Sequence, residues 1–202
     1  MASFDVALEK LLQKEGGWCN VPGDKGGETY CGISSRSWPA WDGWSIIAKA
    51  KVHESYEEGP AAFSKHLAGI PTLYARVSQF YLKNFWSKAC ADTMPQALAD
   101  EMLEQAVNLG VLRAVMFLQK TCNALNFRQG QTLFKDLSVD GTMGAKTLAA
   151  LDSVLIGHSA GDVLRCLNLQ QGNYYIALAA ANPVQRKFLA GWLKRATEEN
   201  DE

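Results

Sequence analysis

Three carboxylates, Glu15, Asp24 and Glu28, stand within KEGGWCNVPGDKGGETYCGIS, a stretch that also holds six of the chain's 17 glycines. Two acids in different surroundings are what glycosidic bond cleavage uses. One donates a proton to the leaving oxygen, and the other activates water or stabilises the cationic transition state. Asp24 lies nine positions after Glu15, and a pliable, glycine-rich connection of that length can fold back to face it across a substrate. Glu15 falls where an amphipathic first helix is stopped by Gly16 and Gly17. There the negative end of the helix dipole disfavours an ionised carboxylate, and water exclusion by Trp18 acts in the same direction. Both effects keep a proton on Glu15, as a general acid at neutral pH requires. The same residues also fit a surface glutamate at a helix end and an aspartate that bonds its own turn. Spacing alone leaves both readings open. The stretch contains no GxxxxGK[ST], so a phosphate loop is a poor fit.

The elements that must position these acids read as helices. Phe4, Leu8, Leu11 and Leu12 follow a helical rhythm behind Ser3, a candidate N-cap. Pro60 and Pro71 look like first-turn prolines of PAAFSKHLAG and PTLYARVSQFYLKNFW, and Pro95 opens PQALADEMLEQAVNLG. VLRAVMFLQKTCNAL follows Gly110 almost at once, which predicts a tight helical hairpin. Helical rhythm returns before Gly157, continues from about Ser159 to Ala181, and resumes in PVQRKFLAGWLKRA. The tail EENDE reads as a solvated end. Only Thr29 to Ser34 invites a short ribbon. The expected fold class is all-α or mainly α, with a small β turn in the first lobe.

At 202 residues, 48% hydrophobic and 20% charged, the chain has the composition of an ordinary globular protein. A net charge of −1 argues against a nucleic-acid binder with a broad basic surface. No apolar run of about 18 residues or more predicts a membrane span, and the N-terminal stretch lacks the pattern of a secretory signal. Cys19, Cys31, Cys90, Cys122 and Cys166 form no CxxC pair, so free thiols are expected, with Cys19 and Cys31 as the one pair to test. His53, His66 and His158 have no metal-ligand spacing, and neither a metal nor a cofactor is expected. Trp38, Trp41 and Trp44 recur every third residue in SWPAWDGW. Their faces could stack on sugars, but the large apolar area of tryptophan favours packing.

The run EGGW…PGDKGGETYCGIS resembles the start of the glycoside hydrolase 108 family of N-acetylmuramidases, lysozyme-like enzymes of phages and bacteria. The matching residues are Glu15, Gly16, Gly17, Trp18, Asp24, Gly26, Gly27, Thr29, Gly32, Ile33 and Ser34. The resemblance places the family's catalytic acid on Glu15. The arrangement is also similar to phage-type lysozymes, with glutamate, eight residues, aspartate, five residues, threonine. Glu15 and Asp24 fit the first interval, but Thr29 comes one residue early and Tyr30 occupies the matching place. Tyr30 and Glu28 therefore stand as alternatives to Thr29. The second half resembles the peptidoglycan-binding region that follows the catalytic part in this family, through Asn108, Gly110, Leu118, Gln119, Asp140, Gly141, Gly144, Thr147 and Leu148. Physically, DGTMGAKT is a turn followed by a helix start, so these residues are read first as holding a fold. Asn108, a polar residue late in an apolar helix, is the exception, a candidate to point into the cleft.

The resemblance implies a lysozyme-like fold, with residues 1–93 as the catalytic region and 94–202 as a helical wall-binding region packed on it. It implies an N-acetylmuramidase that cleaves the β-1,4 bond between N-acetylmuramic acid and N-acetylglucosamine. Glu15, Asp24 and Thr29 would act in catalysis, and Trp18, Glu28, Tyr30 and Asn108 would bind substrate. Peptidoglycan strands are the expected partner of a monomer that inserts in no membrane. A phage or prophage endolysin, released through a holin-type pore or exported by a secretion system, is the expected setting. A lytic transglycosylase and a non-catalytic wall-binding module are the rival readings.

Overall fold

A computed structural model of the chain describes residues 1–21 and 26–197. Asp24 and the tail EENDE lie outside the described residues. The fold is mainly helical, as the sequence predicts, and the chain divides into two compact units. One runs from Phe4 to Asn84, and the other takes Met1–Ser3 and the residues from Phe85 onward. Among the described residues, no helix is long and apolar enough to cross a membrane.

In the first unit, α1 (Phe4–Lys14) buries Ala7, Leu8 and Leu11, the face set by the apolar rhythm. Three two-residue strands follow: β1 (Trp18–Cys19), β2 (Thr29–Tyr30) and β3 (Ile33–Ser34), in antiparallel order. The expected ribbon over Thr29 to Ser34 is present, and Trp18–Cys19 adds a third strand to it. α2 (Gly43–Ala50) is a helix that the glycine and tryptophans around it concealed in the sequence. α3 (Pro60–Ala68) and α4 (Pro71–Tyr81) each carry proline in the first turn, where its missing N–H has no partner to lose. α4 buries Leu73, Val77, Phe80 and Tyr81. It stops short of the predicted Trp86 because the winding widens into a π-helical turn, Leu82–Trp86. Within that turn the Asn84 amide donates to the Phe80 carbonyl at 3.0 Å, competing with the main-chain ladder.

In the second unit, α5 (Gln96–Leu109) and α6 (Val111–Ala124) form the predicted hairpin, pivoting on Gly110 at φ +86°. Helices α7 (Ala145–Gly157), α8 (Ala160–Ala181) and α9 (Leu189–Thr197) complete it. Ser159 and Asp162 close a capping box at the start of α8. The first residues of the predicted last helix, Pro183–Phe188, wind instead as a 3-10 helix.

The DGTMG turn is tied down as its residue types imply. The Thr142 amide donates to Asp140 Oδ1 at 2.8 Å, and Gly141 takes φ +73°. Beneath the turn sits Gln119, only 2% exposed. Its amide nitrogen donates to Asp140 Oδ1 (2.9 Å) and the Thr142 carbonyl (3.2 Å), and its oxygen accepts from the Gly141 N–H (2.9 Å). Removing one side of a buried network leaves the partners unsatisfied. Gln119→Ala therefore lowers stability by about 2–3 kcal/mol in urea unfolding, whereas a change below about 0.5 kcal/mol would show that the knot holds nothing.

Candidate active site

The site is built where α1 ends. The Glu15 amide still donates to the Leu11 carbonyl at 3.1 Å, so its side chain leaves from the last turn of the helix, half-buried. Gly16 and Gly17 then let the chain turn against α3. A Cβ at Gly17 would lie 2.4 Å from Ser64 Oγ. That hydroxyl accepts the Trp18 N–H at 2.8 Å and donates to the Pro60 carbonyl at 2.6 Å. The second glycine of the pair is thus a steric requirement for placing β1.

β1 and β2 carry a second carboxylate in a different setting. Glu28 accepts the Trp18 indole N–H at 2.6 Å and pairs with Lys51 at 2.9 Å. Trp18 is 7% exposed and packs edge-on against Tyr56 and Phe63. Tyr30 is 5% exposed. The structure gives Trp18, Tyr30 and Glu28 packing and bracing roles in the ribbon. Thr29 pairs through its backbone with Cys19 and Ser34, and alternation along β2 puts its side chain opposite Tyr30.

The β2–β3 turn brings the chain over Glu15. Tyr30 pairs with Ile33, and both residues between them have positive φ, Cys31 at 47° and Gly32 at 75°. That pair of angles characterises the type I′ hairpin turn. A Cβ at residue 32 would stand 2.7 Å from Glu15 Oε2 and 2.9 Å from Tyr81 Oη. Only glycine lets the turn sit against both groups. Tyr81 donates its phenol proton to the Cys31 carbonyl at 2.6 Å, pinning the turn to α4. Burial raises the Tyr81 phenol above its ordinary range. The Cys31 thiol is pushed up to about 11, chiefly by burial, with a hydrogen bond to Tyr30 opposing. Burial likewise raises Tyr30. At neutral pH the hydroxyls and thiol around Glu15 stay uncharged.

Residues 8–110 match the sequence model of the family described as Glycosyl hydrolase 108, and residues 113–197 match that described as Predicted Peptidoglycan domain. The chain belongs to the glycosyl hydrolase 108 family. It is a glycoside hydrolase, a peptidoglycan hydrolase of the lysozyme-like type. Its fold is similar to the solved structure of SagA from Brucella abortus, with a TM-score of 0.63 and 26% identity over 96% of this chain and 89% of that chain. No curated protein matches it.

Asn108, near the end of the stretch matched by the Glycosyl hydrolase 108 model, is held by its own unit. Its amide donates to the Glu104 carbonyl at 2.9 Å, and its oxygen accepts a short hydrogen bond from Arg195, which also pairs with Glu104. All five cysteines are free thiols, Cys19 and Cys31 among them. The structure therefore brings together Glu15, the Gly32 turn and Tyr81, while Trp18, Glu28 and Tyr30 brace the ribbon that carries the turn. Sequence reasoning missed Tyr81 as a neighbour of Glu15, because it reads as one more apolar position of α4 and its partner is 50 residues away. The hint was a hydroxyl on a face otherwise filled by Leu73, Val77 and Phe80.

Gly32→Ala must either shift Glu15 or open the turn, and its φ adds strain. It is expected to lower stability by about 1–3 kcal/mol and to abolish hydrolysis. Gly16→Ala, with nothing within 4 Å of its new Cβ, leaves the melting midpoint unchanged. Equal melting of the two variants contradicts this account of the turn. The raised thiol of Cys31 gives a second expectation. In a timed iodoacetamide reaction at pH 8, mass spectrometry finds exposed Cys19 modified first, and Cys31 reacts only as the pH approaches about 11. Faster modification of Cys31 than of Cys19 contradicts it.

Proposed function

We propose that the enzyme is an N-acetylmuramidase that cleaves the β-1,4 bond between N-acetylmuramic acid and N-acetylglucosamine, with Glu15 as general acid. The observation that carries this reading is the setting of Glu15. It is half-buried at the C-terminal end of α1, where the helix dipole disfavours negative charge, and it is covered by a glycine turn. In the reaction, the Glu15 proton passes to the glycosidic oxygen as the C1–O bond breaks. Water adds to C1 of the oxocarbenium-like centre, and its proton leaves to a carboxylate.

For that second carboxylate the reading takes Asp24, at the interval from Glu15 that phage-type lysozymes share. Glu28 is less suited, because Lys51 and the Trp18 indole already engage it. The Thr29 hydroxyl is proposed to orient the water. Residues 1–93 act as the catalytic region, and 94–202 hold the wall polymer.

Glu15→Gln is expected to reduce clearing of purified peptidoglycan about 10²–10⁴-fold, with an unchanged circular dichroism spectrum and melting midpoint. Asp24→Asn is expected to fall comparably. Mass analysis of wild-type digests should show reducing N-acetylmuramic acid ends. Anhydro ends would make the enzyme a lytic transglycosylase, and a lytic Glu15→Gln would remove the assignment of the acid.

A further inference from the structure

The segment SWPAWDGW does more than pack. Trp44 donates its indole N–H to the Trp38 carbonyl at 2.9 Å, and Trp41 donates to the Arg76 carbonyl at 3.4 Å. Their rings meet edge-on at 5.0 Å. Trp38, by contrast, is 38% exposed although it rests edge-on against Phe80 at 4.8 Å. Trp41 and Trp44 are partly buried, and the expectation that all three tryptophans pack fails most clearly at Trp38.

Trp38 stands over a cleft of about 570 Å³, lined also by Trp41, Phe80, Gln79, Lys83 and Asn84. That volume lies within the range of about 300–1,000 Å³ for small-molecule sites. The lining combines an aromatic platform with side-chain amides and charges at the rim. An Asp42–Arg76 ion pair at 3.2 Å and an Arg76–Gln79 hydrogen bond at 3.3 Å brace that rim. Such a surface suits a pyranose ring, whose C–H face is apolar and whose edge carries hydroxyl and acetamido groups.

The position suits the same occupant. The Trp38 amide donates to the Ser34 carbonyl at 2.9 Å, so the platform hangs from β3, whose preceding turn contacts Glu15. On the other wall, Phe80 immediately precedes Tyr81, which pins that turn. The cleft and the Glu15 site thus share β3 and α4.

We propose that this cleft is a saccharide subsite for the glycan strand, with Trp38 as the stacking platform and Gln79 and Asn84 as partners for ring substituents. It rests on the peptidoglycan-hydrolase reading only for the identity of the strand. Peptide-free glycan strands are the probe, titrated calorimetrically against the full chain carrying Glu15→Gln, so that no turnover intervenes. Adding Trp38→Ala weakens binding about tenfold, and Trp38→Tyr, which keeps an aromatic face, stays within about threefold. Gln79→Ala, which leaves the aromatic packing untouched, weakens it about threefold. In the otherwise wild-type enzyme, Trp38→Ala raises KM for peptidoglycan with kcat within about twofold, since a platform remote from the broken bond binds ground and transition states alike.

Melting midpoints identify the folded variants. Unchanged dissociation constants in Gln79→Ala and in every folded Trp38 variant overturn the subsite, as does a fall in kcat with KM unchanged. If the wild type does not hydrolyse peptidoglycan, the functional reading fails while the binding measurements still decide the cleft. If it hydrolyses normally and binding is insensitive to these substitutions, the cleft alone fails.

Discussion

The first unit is organised around the absence of a side chain at residue 32, where a Cβ would press on both the Glu15 carboxylate and the Tyr81 hydroxyl. That close approach sets what the surrounding elements must be. The turn between β2 and β3 has to place two consecutive residues at positive φ, one of them the non-glycine Cys31, a strain of the order of 1–3 kcal/mol. Tyr81 holds the strained turn by its bond to the Cys31 carbonyl. α4 in turn has to place Tyr81 under the ribbon, and the Gly16–Gly17 break has to release the chain from α1 just beyond the acid.

The same geometry gives two glutamates different surroundings. Glu28 lies against Lys51 and the Trp18 indole, which makes it a brace for the ribbon. Glu15 lies at the negative end of a helix, beside a phenol and a thiol that burial keeps protonated. The second unit uses its polar groups differently. There, Gln119 fixes the DGTMG turn, and Arg195 links Asn108 and Glu104. Those residues stabilise a scaffold.

Much of the helical framework was legible in the sequence because its signals are local. First-turn prolines at 60 and 71, the glycine pivot at 110 and the Ser159 cap each act within a turn or two of where they stand. The place of Glu15 at the end of α1, before a glycine pair, was legible too. What stayed hidden depends on distant partners. β1 pairs across a glycine-rich loop, α2 begins among residues with poor helix signals, and Tyr81 meets Cys31 across 50 positions. Trp18 and Tyr30 looked like sugar contacts because they flank the acids. Trp18 is buried against Tyr56 and Phe63, and Trp38, which the sequence assigned to packing, is more exposed than Trp41 or Trp44.

The central claim is that the Glu15 carboxyl holds its proton at neutral pH until a glycosidic oxygen takes it. Isotope-edited infrared spectroscopy of the full chain, comparing wild type with Glu15→Gln across a pH series, observes that carboxyl directly. A protonated carboxyl band assignable to Glu15 at neutral pH, lost only on raising the pH, is the predicted result. A carboxylate band from Glu15 throughout the neutral range would contradict the account.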